Sequence, residues 1–360
     1  ASCIISIELD ERKLLDTKET VTSETIRRQR QGKNMNIYDI AKEAGVSITT
    51  VSRVINKKGY VSEKTRKKIQ DVLDRNEYHP SDIARGLVSG SMKTVAIVVV
   101  DVRVPHYALT SYIMEQRLSD EGYMVLVCNT GEKEEDCRKY LCMLANRHVD
   151  GIILVGSIFN RLCDEETLNL LSDIPIVMAN GKIDRDNIHA VLVDEAYGME
   201  LATEHLYERG RRKLAYVIDK DTNAADRKRK GFLREMKRLG YEDPEKDVYH
   251  TSYGLEGGAQ IAEVLREKGY DGVVFGEDLT AVGALNQWKK DGVKIPEEIS
   301  LIGCNNSEYS YVCSPALTTV NNKGEVLSEL TVRMLLDVLE KKKELASLIV
   351  LPELVVRETT

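Results

Sequence analysis

The chain has 360 residues, 42% of them hydrophobic and 30% charged, with a formal net charge of -7. That length holds two ordinary domains and a small third module, and the apolar content can fill real cores, which excludes a disordered or fibrous protein. The longest strand-like apolar run, residues 95–100, is bounded by Thr94 and Asp101 and falls far short of the roughly 18 residues that span a bilayer, so no membrane partner is expected.

Residues 1–35 mix charge with little periodicity and end in RRQRQGKNM. They read as a flexible N-terminal extension, with Met35 an alternative natural start. The opening ASCII is faintly like a lipoprotein cleavage site, but the charged run at 8–13 stands where a signal peptide needs its apolar segment. Seven cysteines without a CxxC pair fit a reducing compartment, and the expected location is cytoplasmic.

From Ile37 three short helical patterns follow: IYDIAKEAG, VSITTVSRVIN and SEKTRKKIQDVLDRN. Gly45 breaks the first from the second, Ser47 and Ser62 are suitable N-caps, and Ile69, Val72 and Leu73 form one apolar stripe on the third. The amphipathic segment SDIARGLVSG then reads as a linker able to become helical. After Lys93 the rhythm changes. TVAIVVV, YMVLVC, VDGIILVG and IPIVMA alternate with helical stretches at 107–121 and 134–146. KLAYVI, the segment around DVYHT, DGVVFG and ISLIGC alternate with helical stretches at 227–239, 255–267 and 280–291. A helix near 324–343 and the strands in LIVLPELVV close the chain. Two successive βα arrays predict two Rossmann-like lobes, with a cleft between the C-terminal edges of their parallel sheets.

Charge separates these parts. Residues 36–93 carry 11 basic and 7 acidic side chains, net +4, against -11 for the rest of the chain, as suits a polyanion-binding head on an acidic body. Helix, glycine turn, helix is the spacing of a helix-turn-helix. Ile40, Ala41, Ala44, Val46, Val51, Val54 and Ile55 can share a core, which leaves Ile48, Thr49, Ser52 and Arg53 outside on the second helix. In a major groove Arg53 could bridge a guanine edge and Ile48 touch a thymine methyl. Tyr38, Ser47, Thr50 and Asn56 are candidates for phosphate or sugar contacts. The bland alternative is a small helical bundle with a solvated arginine, which the hydroxyl-rich outer face and the basic surplus disfavour.

IYDIAKEAGVSITTVSRVIN, YVSEKTRKKIQDVLDRNEYHPSDIARGL, DGIILVG, LATEHLYERGRRKLAYV, DGVKIPEEISLIG, SPALTTV and LPELVVRET together resemble, in order, the LacI/GalR family of bacterial transcription regulators. The resemblance runs from Ile37 to the C-terminus. It implies an all-α helix-turn-helix headpiece joined to an α/β, periplasmic-binding-protein-like core of two lobes. The expected domains are an extension at 1–35, a DNA-binding domain at 36–79, a hinge helix and linker at 80–92, and a core at 93–360. Within the core, the N-lobe covers about 93–190 and 321–345, and the C-lobe about 191–320 and 346–360.

The resemblance further places Ile48, Thr49 and Arg53 on the major groove, Ser47, Thr50, Ser52, Asn56 and Tyr60 near the backbone, and Ala84 and Leu87 in the minor groove, with Leu87 as the wedge. A hinge this short is marginal alone in water, so its folding can depend on DNA and on a dimer mate, and the expected form is a homodimer on a palindromic operator. In the core, Pro105, His106, Tyr107, Asn180, Lys228, Tyr253, Glu277, Asn305 and Asn322 match the family's ligand positions. Lys228, Glu277 and Asn305 depart from the family's common arginine, asparagine and aspartate, which blurs the sugar pattern and leaves a polar metabolite, or a phosphorylated carrier protein as corepressor, as effector. There is no HExxH, GxSxG, P-loop or dinucleotide-binding GxGxxG, so neither catalysis, a cofactor nor a metal is expected. A transporter's solute-binding protein would share the core but would need export and no basic head. A regulator, most commonly a repressor in this family, is therefore the reading of the sequence.

Overall fold

The computed structural model describes residues 36–55, 59–76, 91–342 and 347–360. The expected contacts of Asn56, Ala84 and Leu87, the N-terminal extension and all but the last two residues of the expected hinge lie outside them. The chain divides into two units, residues 1–88 and 89–360.

In the first unit, α1 (Ile37–Ala44), α2 (Ile48–Ile55) and α3 (Glu63–Arg75) form a three-helix bundle. Asn36 opens α1 with a capping box: its side chain accepts from the Tyr38 and Asp39 amides, and Asp39 accepts from the Asn36 amide. Gly45 closes it at φ +62, a left-handed conformation that a glycine adopts without steric penalty. Ser47 and Ser62 cap α2 and α3 as expected, accepting from the Thr50 amide at 3.2 Å and the Thr65 amide at 3.3 Å. Ile40, Ala41, Ala44, Val51 and Val54 are buried with Val61, Ile69, Val72 and Leu73, while Val46 and Ile55 pack at the edge.

The second unit opens with β1 (Thr94–Val99), α4 (Pro105–Asp120), β2 (Met124–Asn129), α5 (Glu134–Asn146), β3 (Gly151–Val155), β4 (Ile176–Ala179) and β5 (Ile188–Val193). Next come α6 (Glu195–Glu208), β6 (Leu214–Ile218), α7 (Asn223–Arg238), β7 (Val248–His250), α8 (Leu255–Glu267), β8 (Gly272–Phe275), α9 (Asp278–Lys290), β9 (Ser300–Cys304) and β10 (Thr318–Asn321). The last elements are α10 (Gly324–Leu339), β11 (Leu348–Val350) and β12 (Glu353–Val355). One sheet runs β11-β5-β4-β3-β1-β2 and is parallel throughout. The other runs β12-β10-β9-β8-β6-β7 and is parallel except for β12 against β10. Continuous apolar strands such as β1 and β3 fit sheets covered on both faces: Val95 through Val99 and Ile152 through Leu154 are wholly buried.

The chain crosses between sheets three times, after β5, after β10 and between β11 and β12. This corrects the expected lobe limits. The first sheet keeps β5 to Val193, the second keeps β10 to Asn321, and Leu348–Val350 belongs to the first sheet instead of the C-lobe. The run LIVLPELVV has one apolar texture, but Leu351 and Pro352 interrupt it, and the two three-residue strands on either side pair with different lobes. Segments that short carry no periodicity to say which sheet they join.

Candidate functional site

On the headpiece, α2 turns Val51 and Val54 inward and leaves Ile48, Thr49 and Arg53 exposed, with Ser52 half-buried. The Arg53 side chain lies beside Gly59, whose φ is +75. Tyr38 and Tyr60 are exposed at 66% and 90%. Ser47 and Thr50 share a hydroxyl hydrogen bond of 2.8 Å at the start of α2. The expected DNA-contact residues among the described ones thus lie along α2, just before it (Ser47), on α1 (Tyr38) and in the segment after α2 (Tyr60), with Ile48, Thr49 and Arg53 exposed.

In the core, a cavity of about 110 Å³ is lined from the C-terminal ends of β3, β4 and β5 on one side and of β6, β8, β9 and β10 on the other. This is where open α/β sheets place ligands. His106, Tyr107, Asn180, Lys228, Glu277, Asn305 and Asn322 line it. Pro105 does not; it borders a neighbouring groove of about 800 Å³ that shares His106 and Asn305. Tyr253 is absent from the lining too, and instead its ring lies 4.2 Å from the Lys220 ammonium, which does line the cavity. Asn180 and Asn305 hold φ of +60 and +93, a left-handed backbone that asparagine tolerates better than most residues. Both strand ends thereby turn sharply and aim their amides inward.

One polar chain threads the cavity. Glu195, 2% exposed at the start of α6, accepts from Asn180 Nδ2 at 2.7 Å and from Asn322 Nδ2 at 3.3 Å, and lies 3.7 Å from Lys228 Nζ. Asn322 also donates to Asn305 Oδ1 at 2.9 Å, and Asn305 Nδ2 donates to Glu277 Oε2 at 2.7 Å. Lys228 Nζ donates to the Gly276 carbonyl at 2.9 Å. Burial works against the charge of Lys228, yet the Cys304 sulfur and the Glu195 and Glu277 carboxylates hold its pKa well above the ordinary lysine value. Burial likewise opposes the charge of Glu277, but Lys220, His106, Lys228 and the Asn305 amide bring its carboxyl below the usual value. His106 is pushed down to about 4, by burial and then by the Lys220 and Lys228 charges against the opposing pull of Glu277, so it is neutral near pH 7. The site is thus a set of satisfied ion pairs around a neutral imidazole that can both donate and accept. It has no nucleophile poised beside a base, and among the described residues no group of three or more His, Cys, Asp or Glu could hold a metal ion.

Among the described residues, contacts besides the Asn180–Glu195 bond join the lobes. The Ala224 amide donates to Ser157 Oγ at 2.9 Å, Arg227 Nη2 donates to Asn180 Oδ1 at 2.9 Å, and Arg161 pairs with Asp221 at 3.3 Å. Glu195, Asp219, Lys220, Ser157 and Tyr216 are cavity residues that motif matching does not mark. The signal that finds Ser157, Asp219 and Lys220 is position: each follows the C-terminal end of a parallel strand. His205 is half-buried on α6 and hydrogen-bonded with Thr360 Oγ1 at 2.9 Å. The six cysteines among the described residues are free, and no described helix is long and apolar enough to cross a membrane.

Residues 36–81 match the model of the bacterial regulatory proteins of the lacI family, and residues 203–360 match that of the periplasmic binding protein-like domain. An HTH-type transcriptional regulator of Lachnoclostridium phytofermentans is 34% identical over 91% of this chain and 99% of its own. The chain belongs to the lacI family of bacterial regulatory proteins. The HTH-type transcriptional repressor PurR of Serratia proteamaculans is 31% identical over 90% of this chain and 96% of its own. A solved complex of the transcriptional regulator CelR with cellobiose is 25% identical, covers 91% of this chain and all of that one, and superposes with a TM-score of 0.67. As a member of the family this protein is a DNA-binding transcription regulator, with a helix-turn-helix head and a two-lobed core.

Proposed function

We propose that the protein is a repressor that binds a palindromic operator as a homodimer and changes its operator affinity when a small polar molecule occupies the cleft. The observation that carries this reading is the division of α2. Val51 and Val54 close the headpiece core, while Ile48, Thr49 and Arg53 stand outside it. Arg53 reads a guanine edge, Ile48 and Thr49 take neighbouring base positions, and Tyr38, Ser47, Thr50, Ser52, Asn56 and Tyr60 hold the phosphate backbone. Ala84 and Leu87 enter the central minor groove. One headpiece offers few phosphate contacts, so two-fold pairing supplies the affinity a single head lacks.

The polar lining of the cleft, built from both lobes, favours a small molecule over a carrier protein as effector, and relatives with the same architecture support it: the CelR structure holds cellobiose. Its occupancy biases the two lobe orientations and through them the spacing of the two hinges. A cytoplasmic location follows from that role. The experiment is a mobility-shift titration of the full chain on duplex selected from random sequence, repeated in the presence of pooled polar metabolites. Retarded duplex whose midpoint moves at least tenfold with one pool supports the reading, and a midpoint that no pool moves contradicts the coupling.

A further inference from the structure

Lys220 sits in the cleft in a way the polar chain does not require. It follows β6 in the loop before α7, and its ammonium turns back to lie 3.8 Å from Glu277 Oε1 and 4.2 Å from the centroid of the Tyr253 ring. A charge-assisted hydrogen bond to a carboxylate spans about 2.7–2.9 Å, so this contact is looser than a donated bond. The ammonium is held by a carboxylate on one side and an aromatic face on the other, the pairing that recognises organic cations. The other oxygen of Glu277 is taken by the Asn305 amide at 2.7 Å. Next to Lys220 in the chain, Asp219 also lines the cavity, and its carboxyl is raised to about 6, by burial first and by the Glu277 charge second. Elsewhere on the cavity wall two polar atoms have no partner among the described residues, the hydroxyl of the wholly buried Tyr216 and Oδ1 of Asn322, which is 8% exposed. Buried polar groups of this kind are normally paired.

We propose that the effector is a small hydroxylated primary amine, whose ammonium replaces that of Lys220 between Glu277 and the Tyr253 ring and whose hydroxyls reach Tyr216 and Asn322. The proposal rests on the cleft being the effector site. Lys220 is then a built-in competitor, in the short loop between β6 and α7 with its side chain 22% exposed. An anionic ligand fits less well: Lys228 is already spent on the Gly276 carbonyl and Glu195, and the anion would have to lie among the carboxylates of Glu195, Asp219 and Glu277. A neutral polyol would leave the Lys220 ammonium where it is and gain nothing from Glu277.

Isothermal titration of the full chain with glucosamine and with glucose, which differ at one amine-for-hydroxyl position, tests this. In the parent chain glucosamine should bind at least tenfold more tightly than glucose. Lys220→Met, which removes the competitor, should tighten glucosamine about tenfold more and leave glucose unchanged, and Glu277→Gln should abolish the preference. Glucose binding as well as glucosamine, Lys220→Met failing to tighten glucosamine, or neither sugar binding the parent or Lys220→Met would each overturn the proposal. Operator titrations separate the two readings. Release by a neutral metabolite with no response to amines overturns the amine proposal and leaves the effector reading standing. Tight glucosamine binding that leaves operator affinity unchanged keeps the amine subsite but overturns its role as the effector site, and with it the effector reading.

Discussion

The pair of Lys228 and Glu195 offers a quantitative test of how the cleft is built. Their side chains are 7% and 2% exposed and the charged atoms lie 3.7 Å apart, with Lys228 also bonded to the Gly276 carbonyl and Glu195 to Asn180 and Asn322. Lys228→Met would leave the Glu195 carboxylate with two amide donors but no counter-charge, and Glu195→Gln would take the adjacent counter-charge from the ammonium and leave it the Gly276 carbonyl and the pull of Glu277. Removing one partner of a buried ion pair costs about 3–5 kcal/mol, because the charge left behind is neither solvated nor paired. The amides on Glu195 and the carbonyl on Lys228 keep both groups hydrogen-bonded, so the lower end, about 3 kcal/mol, is the expectation for each single variant. For a core of this size that corresponds to roughly 6–10 °C in the melting transition. The double variant Lys228→Met with Glu195→Gln removes both charges together and should recover at least half of the summed loss. Differential scanning calorimetry of the four chains closes the cycle. Additive losses, or single variants that melt within a degree of the parent, would refute the claim that the two charges depend on each other.

Other outcomes follow from the same geometry. Gly231→Ala places a Cβ 2.1 Å from the Ala196 carbonyl oxygen, where α7 crosses α6; backbone cannot yield as a side chain can, so a loss of about 3 kcal/mol or more is expected in thermal unfolding. Asp219 binds its proton more tightly folded than unfolded, with its carboxyl raised from 3.8 to about 6. It therefore adds stability at low pH that is lost as pH rises through 6, and Asp219→Asn should leave the melting temperature unchanged near pH 4 and raise it at pH 7.5, by about 1–2 kcal/mol in stability once partial exposure is allowed for. Leu87→Ala should weaken operator binding while keeping the half-site preference, read by titrating the variant on operators with altered central and flanking bases, since a wedge acts on the bent centre and not on the groove edges.

Much of the architecture is legible in the sequence because it is written in local pattern. Strands such as β1, β3 and β8 are short β-branched runs ended by polar residues, and α1 and α2 carry a capping asparagine or serine and a left-handed glycine between them. Seven of the nine expected cleft residues line the cavity: Asn180, Glu277, Asn305 and Asn322 follow strands whose C-terminal ends face it, and His106, Tyr107 and Lys228 lie early in the helices α4 and α7 that come after β1 and β6. What is not legible is set by contacts far apart in the chain. β5 and β10 are each followed by a helix, α6 and α10, but the strand after that helix joins the other sheet, and β11 takes its place in the first sheet only through pairing with β5. Glu195 lies at one crossover and Asn322 at another, 127 positions apart, yet they share a hydrogen bond. No spacing rule brings together residues whose proximity is created by the chain passing three times between lobes. Pro105 and Tyr253 fall beside the cavity for a related reason: the first residue of α4 borders the neighbouring groove, and Lys220 stands between the Tyr253 ring and the open space.

The account turns on α2 offering its outer side chains to base edges, and selection of bound sequences from random duplex tests it most directly. The parent chain should enrich a palindrome with a central CG step. Arg53→Ala should keep the palindrome spacing but lose preference at one base pair in each half-site, by about 1–3 kcal/mol of discrimination. Enrichment of the same bases to the same degree by Arg53→Ala and by the parent, or no enriched palindrome with either chain, would contradict the assignment.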